Sequence, residues 1–347
     1  MEKVKKNIRH LSLPEVEAYF ETLGEKKFRA KQVYEWLWQK NARSFDDMTN
    51  LSKPLRQQLA DTFTFPALTI DATQHSTDGT IKSRFRTADG HLVEGVLIPT
   101  DDRKTACVSS QIGCSLSCKF CATGYMDRKR NLDYDEIYDE VALINQQSEK
   151  AFEKKLSNIV FMGMGEPLLN YRNVLKAIER ITAPDGLAMS PRRITVSTAG
   201  VAKMIRQLGD DRVKFKLALS LHAANDRKRN EIMPINETNN IKALVEALNY
   251  FYKMTGNEIT LEYILFKGVN DSREDSDELI KIYRQVPADL VNIIEYNPID
   301  QALFEKPDET TIHQFMQHLE KNRVNARLRH SRGKDIDAAC GQLANKS

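Results

Sequence analysis

The chain has 347 residues, 41% hydrophobic and 29% charged, and a net charge of +3, which is ordinary for a globular protein of one large and one small domain. The N-terminus is charged and lacks the apolar core of a secretory signal, and no apolar run approaches the ~18 residues of a membrane span. Five cysteines, three of them in one short motif, favour metal binding or catalysis over a disulfide framework, so we expect a cytoplasmic protein that binds no membrane.

Residues 1–65 predict a small helical domain. Ser12, followed three positions later by Glu15, has the pattern of a capping box, and two more helical segments follow in the same stretch. Residues 66–100 contain two alternating runs on either side of Asp89-Gly90, which is a strong hairpin signal. We therefore predict a β-hairpin linker between the helical domain and the rest of the chain.

The third predicted domain covers residues 101–347. Here apolar runs alternate with segments of helical periodicity, which predicts parallel strands joined by right-handed crossovers. Six strand–helix units are clear, and a seventh run at residues 325–330 is weaker, so a closed eight-stranded barrel is not expected. We predict an α/β fold with a partial barrel of the (β/α)6 type, and a doubly wound sheet is the alternative.

Small polar motifs follow several of the predicted strands. GMGEP (163–167), STAG (197–200), SLHA (220–223) and YNP (296–298) each come after an apolar run. In barrels of this kind the reacting groups lie on loops at the C-terminal ends of the strands, so these motifs should converge on one rim. Each motif alone is better explained as turn chemistry, and it is their combination with the cysteine-rich loop after the first strand that favours a functional site.

Cys114, Cys118 and Cys121 form a C-x3-C-x2-C motif. Zinc is one alternative, with His222 as the fourth ligand of a Cys3His site. A four-iron cluster held by three thiolates is the other, and it would keep one iron open for a small molecule. Because no second pair of closely spaced cysteines completes a structural zinc site, the motif favours the cluster.

This motif, with Phe120 before its last cysteine, resembles that of the radical S-adenosylmethionine (SAM) enzymes. The resemblance implies one 4Fe-4S cluster on the three cysteines, with SAM bound to its free iron through the amino and carboxylate groups. One electron then splits SAM to a 5′-deoxyadenosyl radical. By similarity of position, the residues in contact with SAM would be Gly165, Glu166, Ser197, Ser220, Leu221, His222 and Asn297.

Longer motifs narrow the resemblance to the RlmN/Cfr family of RNA adenine methyltransferases. The similarity runs from about residue 90 to residue 344, and its motifs occupy residues 104–124, 161–168, 190–200, 232–236 and 335–344. It implies a partial radical SAM barrel with an N-terminal RNA-binding accessory domain and a C-terminal catalytic tail. The implied reaction is methylation of carbon 2 of adenosine 2503 in 23S ribosomal RNA and of adenosine 37 in tRNA.

Two alternatives to this function remain. Pro167 and the SRGKD segment before the terminal motif favour methylation of carbon 2 over carbon 8, which is the other reaction of the family. A non-catalytic RNA-binding protein stabilised by zinc is the alternative from a different class.

The family resemblance also assigns roles to three residues outside the cluster. Cys340 would accept a methyl group from one SAM molecule, and the radical from a second would abstract hydrogen from this S-methyl group. The methylene radical would add to carbon 2, and Glu94 would accept the ring proton. Cys107 would then attack the Cys340 sulfur, which releases the product and forms a disulfide. Two SAM molecules are thus used per turnover.

Three stretches are rich in basic residues. Residues 103–130 have six Lys or Arg against one Asp, residues 192–216 have seven against two, and residues 321–334 have six and no acid. Each stretch alone is most often a solvated surface, and together they leave a polyanionic partner and a solvated surface equally open. The family resemblance implies that the partners are 23S rRNA and tRNA. A flavodoxin is expected as the electron donor, and we expect a monomer.

Overall fold

The computed structural model describes residues 5–345. The predicted helical unit is present in it: Ser12 caps the first helix in a capping box with Glu15, and Ser52 caps the third. A parallel pair of two-residue strands joins the two ends of this unit. Its elements are β1 (Lys6–Asn7), α1 (Leu13–Thr22), α2 (Lys27–Trp38), α3 (Lys53–Thr62) and β2 (Phe63–Thr64).

The rest of the chain is built on one large sheet. In chain order its strands are β3 (Thr69–His75), β4 (Ile81–Arg86), β5 (Leu92–Pro99), β6 (Lys104–Cys107), the separate short pair β7 (Gln111–Ile112) and β8 (Arg130–Asn131), and then β9 (Asn158–Phe161), β10 (Ile194–Thr198), β11 (Lys216–Ser220), β12 (Ile259–Leu265), β13 (Leu290–Glu295) and β14 (Ala326–Arg329). Within the described residues, the ten strands of the sheet are ordered β14-β13-β12-β11-β10-β9-β6-β5-β4-β3.

The seven strands from β6 to β14 in this order are parallel. The helices between them are α4 (Tyr134–Phe152), α5 (Tyr171–Thr182), α6 (Ala202–Asp210), the short α7 (Asp226–Ile232), α8 (Ile241–Thr255), α9 (Arg273–Gln285) and α10 (Glu309–Lys321). Because the strand order never reverses, right-handed crossovers put the connecting helices on one face and the sheet curls into a partial barrel. The predicted partial (β/α)6-type barrel is confirmed, and the doubly wound alternative is wrong. None of the helices in residues 5–345 is long and apolar enough to cross a bilayer.

The predicted hairpin consists of β4 and β5, which pair antiparallel on either side of Asp89-Gly90. Strand β3, with the mostly polar sequence TIDATQH, pairs with β4 and was missed by sequence reasoning because it has no apolar alternation. Strand β5 also pairs antiparallel with β6, so the hairpin continues the barrel sheet. One apolar core runs through all three predicted domains, and their boundaries stay predictions.

A buried charged cluster joins the helical unit to α4. The Arg9 side chain is 1% exposed, donates to Asp139 Oδ1 at 2.5 Å and lies 3.3 Å from Asp135 Oδ2. Arg43 adds a second cation, 2.9 Å from Asp139. Burial alone would raise the pKa of Asp135, but a hydrogen bond from His10 and the charge of Arg9 hold that pKa below its usual value.

Candidate active site

A pocket lies at the C-terminal ends of the parallel strands, where the sequence motifs were expected to converge. The predicted site residues that line it are Cys114, Cys118, Cys121, Gly165, Glu166, Ser197, Ser220, His222 and Cys340. Four other predicted residues are described by the structure but do not line this pocket, namely Glu94, Cys107, Leu221 and Asn297. The pocket therefore contains all four cysteines that were predicted either to bind iron or to accept a methyl group from SAM.

The cysteine motif lies on a tightly folded loop. The backbone N–H of Cys121 donates to Cys118 O at 3.2 Å, and that of Gly124 donates to Cys121 O at 2.8 Å. A Cβ atom at Gly124 would lie 2.7 Å from Cys118 O, so a larger residue would force the loop open. Burial raises the pKa of the Cys114 thiol to about 11 in the absence of a metal, and a bound metal would favour the thiolate.

Two observations show which metal group these thiols fit. Within residues 5–345, the only three His, Cys, Asp or Glu side chains with ligand atoms within 4.8 Å of one another are His10, Asp133 and Asp135. At least one pair of motif sulfurs is therefore more than 4.8 Å apart, wider than the ~3.8 Å separation implied by Zn–S bonds of about 2.3 Å. His222 Nδ1 accepts from the backbone N–H of Ile264 at 3.1 Å, which leaves the ring proton on Nε2 and no free nitrogen for zinc. The donor set fits an iron–sulfur cluster and does not support a Cys3His zinc site.

The GMGEP loop packs against Gln111 and reaches across to the next strand. Gly165 has a φ of +92°, and a Cβ there would lie 2.5 Å from the Gln111 side chain, so this position requires glycine. Glu166 Oε1 accepts from Leu168 N–H at 3.0 Å, and Oε2 accepts from Ala199 N–H at 2.7 Å. Burial raises the pKa of Glu166, while these two N–H groups favour its charged form.

Polar side chains from β10 and β11 form the next part of the wall. Ser197 Oγ and Ser220 Oγ are 3.4 Å apart, and His222 follows with a left-handed φ of 55°. Burial and the nearby Arg229 charge lower the pKa of His222 to about 3, so its ring is neutral and offers a donor at Nε2. The Leu221 side chain instead packs in the main apolar core, and only its backbone is at the strand end.

The C-terminal tail brings Cys340 to the cysteine loop. Ala122 N–H donates to Gly341 O at 2.7 Å, and Thr123 Oγ1 donates to Leu343 O at 2.6 Å. On the other side, Asn297 Nδ2 donates to Cys340 O at 3.2 Å. Asn297 was expected to contact SAM, but in this structure its side chain fastens the tail.

Glu94 also binds the tail. Its Oε2 accepts from the backbone N–H groups of Ala344 and Asn345 at 2.9 and 3.1 Å, and Lys82 Nζ lies 3.7 Å from Oε1. The Glu94 side chain is only 1% exposed. The carboxylate is therefore connected to the site by the segment that follows Cys340. Its Oε2 is engaged by that segment, and its Oε1 faces Lys82.

Cys107 lies at the end of β6, just outside the pocket wall. Burial raises the pKa of its thiol far above the ordinary value, the nearby Cys340 and Glu140 act in the same direction, and Arg329 opposes them. All five cysteines are free thiols. The proximity of Cys107 and Cys340 agrees with the predicted pair, and the disulfide between them stays a prediction.

Three charged residues near the pocket were missed by sequence reasoning. Glu262 and Arg329 line it, and Arg329 Nη1 donates to Glu262 Oε2 at 3.4 Å. Arg229 lies behind the wall and donates to backbone oxygens at the ends of two strands. A glutamate within the apolar run ITLEYILF could have marked Glu262. Arg329 was counted only as one cation of the basic stretch 321–334, and Arg229 lies in a stretch with no distinctive pattern.

Comparisons with known proteins agree with the geometry. The profile of the ribosomal RNA large subunit methyltransferase N-terminal domain matches residues 6–64, and that of the radical SAM superfamily matches residues 108–280. A probable dual-specificity RNA methyltransferase RlmN from Cytophaga hutchinsonii is 58% identical over 99% of this chain and 93% of its own length. The dual-specificity RNA methyltransferase RlmN from Geotalea uraniireducens is 44% identical over 99% of this chain and 97% of its own.

A solved structure supports the same assignment. The crystal structure of a radical SAM methyltransferase from Sphaerobacter thermophilus has a TM-score of 0.92 and 39% identity, and it covers 98% of this chain and 100% of its own. HydG, a maturase of FeFe-hydrogenase, shares the fold alone, with a TM-score of 0.51 and 12% identity over 69% of this chain and 55% of its own. The chain therefore belongs to the RlmN family of radical SAM RNA methyltransferases.

Proposed function

We propose that this enzyme methylates carbon 2 of adenosine in RNA, with 23S rRNA (position 2503) and tRNA (position 37) as substrates. It uses one 4Fe-4S cluster on Cys114, Cys118 and Cys121 and two SAM molecules per turnover. The observation that carries the proposal is that Cys340, from the C-terminal tail, lines the same pocket as the three motif cysteines. A radical SAM pocket that contains an additional thiol suits a reaction in which a protein sulfur carries the methyl group.

Carbon 2 of adenine is an electron-poor aromatic carbon without a lone pair, so it cannot attack the methyl sulfonium of SAM. When bound, the cluster and SAM supply a transferable methyl group and, after one-electron reduction, a radical that abstracts hydrogen. Ser197, Ser220 and the His222 Nε2–H offer polar contacts for the cofactor along one wall. Glu166 lies on the same wall with its carboxylate oriented by two backbone N–H groups, where it can accept from an ammonium group.

Cys340 then acts as the methyl carrier. Its sulfur takes the methyl group from SAM, with S-adenosylhomocysteine as the leaving group. The S-methyl group would then lose a hydrogen atom to the 5′-deoxyadenosyl radical and add to carbon 2 as a methylene radical. To restore the aromatic ring, this adduct must lose the ring proton and one electron, for which the oxidised cluster would be the acceptor. Arg329 lines the pocket together with Cys340, and its charge favours the thiolate form of Cys107 against the opposing effect of burial. Cys107 attacks the Cys340 sulfur, the bond from that sulfur to the methylene carbon breaks, and the carbon takes a proton as the methyl product leaves.

Glu94 is the acceptor of the ring proton in this proposal. Because Oε2 of Glu94 now accepts from Ala344 and Asn345, this oxygen becomes available for that step only after the tail end separates from Glu94. The disulfide left between Cys107 and Cys340 has to be reduced before the next cycle. We propose a flavodoxin as electron donor, a monomeric enzyme and a cytoplasmic location.

RNA would approach the pocket rim, where exposed cations accompany the motif loops. Lys119, Arg128 and Lys129 are exposed on the cysteine loop. Arg130 belongs to the same sequence stretch but is paired with Asp89 and Glu136. Arg192 and Arg193 are also exposed, but they precede β10 and therefore lie at the opposite end of the strand from the pocket. The adenosine must leave its stack to enter the pocket, which costs least in a single-stranded loop. Binding through phosphates predicts that affinity falls steeply with added salt.

Mass spectrometry of RNA nucleosides tests the proposal. Anaerobically reconstituted enzyme with SAM and a reductant should convert adenosine in 23S rRNA and tRNA fragments to 2-methyladenosine. Cys340→Ala should abolish the product, and Cys107→Ala should accumulate protein covalently linked to RNA. The product 8-methyladenosine would overturn the assigned carbon, and protein without iron or acid-labile sulfide would overturn the radical mechanism.

A further inference from the structure

Arg229 on α7 is a fully buried side chain with an unusual set of partners. Its Nη2 donates to Ala199 O at 2.6 Å and to Ser220 O at 3.1 Å, and its Nε donates to Leu221 O at 3.0 Å. Nη1 donates to Asn236 Oδ1 at 2.7 Å. The guanidinium thus ties together the ends of β10 and β11, from which Ser197, Ser220 and His222 enter the pocket.

All four acceptors of Arg229 are neutral oxygens. Among the described residues, no carboxylate forms an ion pair with it, and the charge of Asp226 acts on it only at longer range. Burial lowers the pKa of Arg229 to about 10, so the side chain stays charged at neutral pH. The protein therefore keeps a positive charge in its interior that no adjacent carboxylate neutralises.

This charge lies next to the cysteine loop. Lys119 N–H donates to Ile232 O at the end of α7 at 3.0 Å, and Cys118 packs in the same apolar cluster as Ile232 and Met233. The charges of Arg229 and of the Cys118 sulfur act on each other. Of the three motif cysteines, only Cys118 has Arg229 among its main electrostatic influences.

We propose that Arg229 is a positioning residue that raises the reduction potential of the cluster held at Cys118. The inference rests on the proposed iron–sulfur cluster. A cluster on three thiolates becomes more negative by one charge when it is reduced, so a fixed cation beside one thiolate stabilises the reduced form. The low dielectric of the interior strengthens this effect relative to that of a surface cation. Arg229 thus acts on electron entry, while its hydrogen bonds keep the SAM-facing strand ends in place.

A redox titration of the reconstituted cluster, followed by electron paramagnetic resonance at fixed pH, tests the charge. In Arg229→Gln the ratio of reduced to oxidised cluster at a given potential should fall about tenfold, which is 59 mV for one electron. Arg229→Lys, which retains the charge but cannot make all four hydrogen bonds, should titrate within twofold of the parent protein. Arg206→Gln, which removes an exposed cation on α6 from the net charge, should leave the ratio unchanged.

A reciprocal variant guards against misfolding of the glutamine variant. In Asp226→Asn the side-chain oxygen can still accept from Asn236 Nδ2 and from Ile241 N–H, while the carboxylate charge that acts on Arg229 is lost. The ratio of reduced to oxidised cluster in this variant should rise, but by no more than about twofold to threefold, because Asp226 is exposed.

The outcomes separate this inference from the proposed function. Equal titrations of Arg229→Gln and the parent protein, or no rise in Asp226→Asn, would overturn it. An equal fall in the lysine and glutamine variants would assign the effect to lost hydrogen bonds and would also overturn it. Failure of the parent protein to bind iron would instead overturn the proposed cluster.

Discussion

Arg9 and Arg229 are two fully buried arginines with opposite surroundings. Arg9 faces the carboxylates of Asp135 and Asp139 at the junction of the helical unit and the barrel. Arg229 faces only neutral oxygens beside the pocket. The first arrangement cancels charge and serves stability, whereas the second retains a charge that can act on whatever binds to the cysteines.

The largest expected effect is at Arg9, whose charge is neutralised by Asp135 and Asp139. Arg9→Met should lower the free energy of unfolding by about 3–5 kcal/mol, because it leaves buried carboxylates without their main cation. Urea unfolding at pH 7 measures the change. Arg43→Met, which removes the more exposed partner of Asp139, is the matched control and should cost about 1 kcal/mol.

A double variant sharpens this prediction. Arg9→Met combined with Asp135→Asn should recover part of the loss, since the stranded carboxylate is then absent. The pH dependence of unfolding should show the contribution of the Arg9–Asp135 pair in the unmodified protein. The pKa of Asp135 is lowered by folding, so its contribution is present above pH ~4 and is lost as the pH falls below that value. If the changes in unfolding free energy from Arg9→Met and Asp135→Asn simply added, the idea that Arg9 neutralises Asp135 would be refuted.

Glu140 is a carboxyl group with no cation among the main influences on its charge. It is completely buried, and within residues 5–345 its only donor is the Ser109 N–H. Burial raises its pKa well above the usual value. Because the folded pKa is raised, stability should fall by about 1.4 kcal/mol per pH unit as the pH rises from the unfolded pKa towards the folded one. Glu140→Gln keeps an acceptor for Ser109 and should abolish that slope and stabilise the protein at pH 7. Denaturant unfolding between pH 5 and 8 of both proteins checks this, and parallel curves would contradict it.

Removal of Arg229 should cost less stability than removal of Arg9. Arg229→Met leaves carbonyl oxygens of Ala199, Ser220 and Leu221 without this donor, for which we expect a loss of about 2 kcal/mol in metal-free protein. Arg229→Lys should lose about half as much, because an ammonium group can satisfy some of these acceptors. A loss in Arg229→Met as large as that in Arg9→Met would show that the two arginines have the same structural role.

The same two regions show how far sequence reasoning reaches. The barrel, the hairpin and the convergence of the strand-end motifs were predictable because they depend on local periodicity and on the known position of reacting groups in such folds. The Arg9 cluster was not, since Arg9 and Asp139 are distant in sequence and neither has a neighbouring signal. Arg229 was hidden for the same reason: its acceptors are backbone oxygens, which no residue pattern records.

The predicted SAM contacts illustrate the difference residue by residue. Ser197, Ser220 and His222 line the pocket, but the Leu221 and Asn297 side chains do not, although all five lie at or just after strand ends in similar motifs. The alternation of side chains at a strand end decides which residue faces the pocket, and a long-range contact with the tail decides the position of Asn297. A sequence motif identifies the loop, and only the folded chain assigns each side chain in it.

The smallest expected effect concerns this contact of Asn297, whose acceptor, like those of Arg229, is a neutral oxygen. Asn297→Ala removes the donor to Cys340 O and should lower global stability by about 1 kcal/mol or less, because the tail keeps its contacts with Ala122 and Thr123. Amide exchange at residues 340–343 should nevertheless become faster, and Cys340 should react faster with a thiol reagent. Asn325→Ala removes a similar side-chain donor, to Asp289 O, and should leave both rates unchanged. Equal rates in Asn297→Ala and the parent protein would mean that the cysteine loop alone holds Cys340 at the pocket.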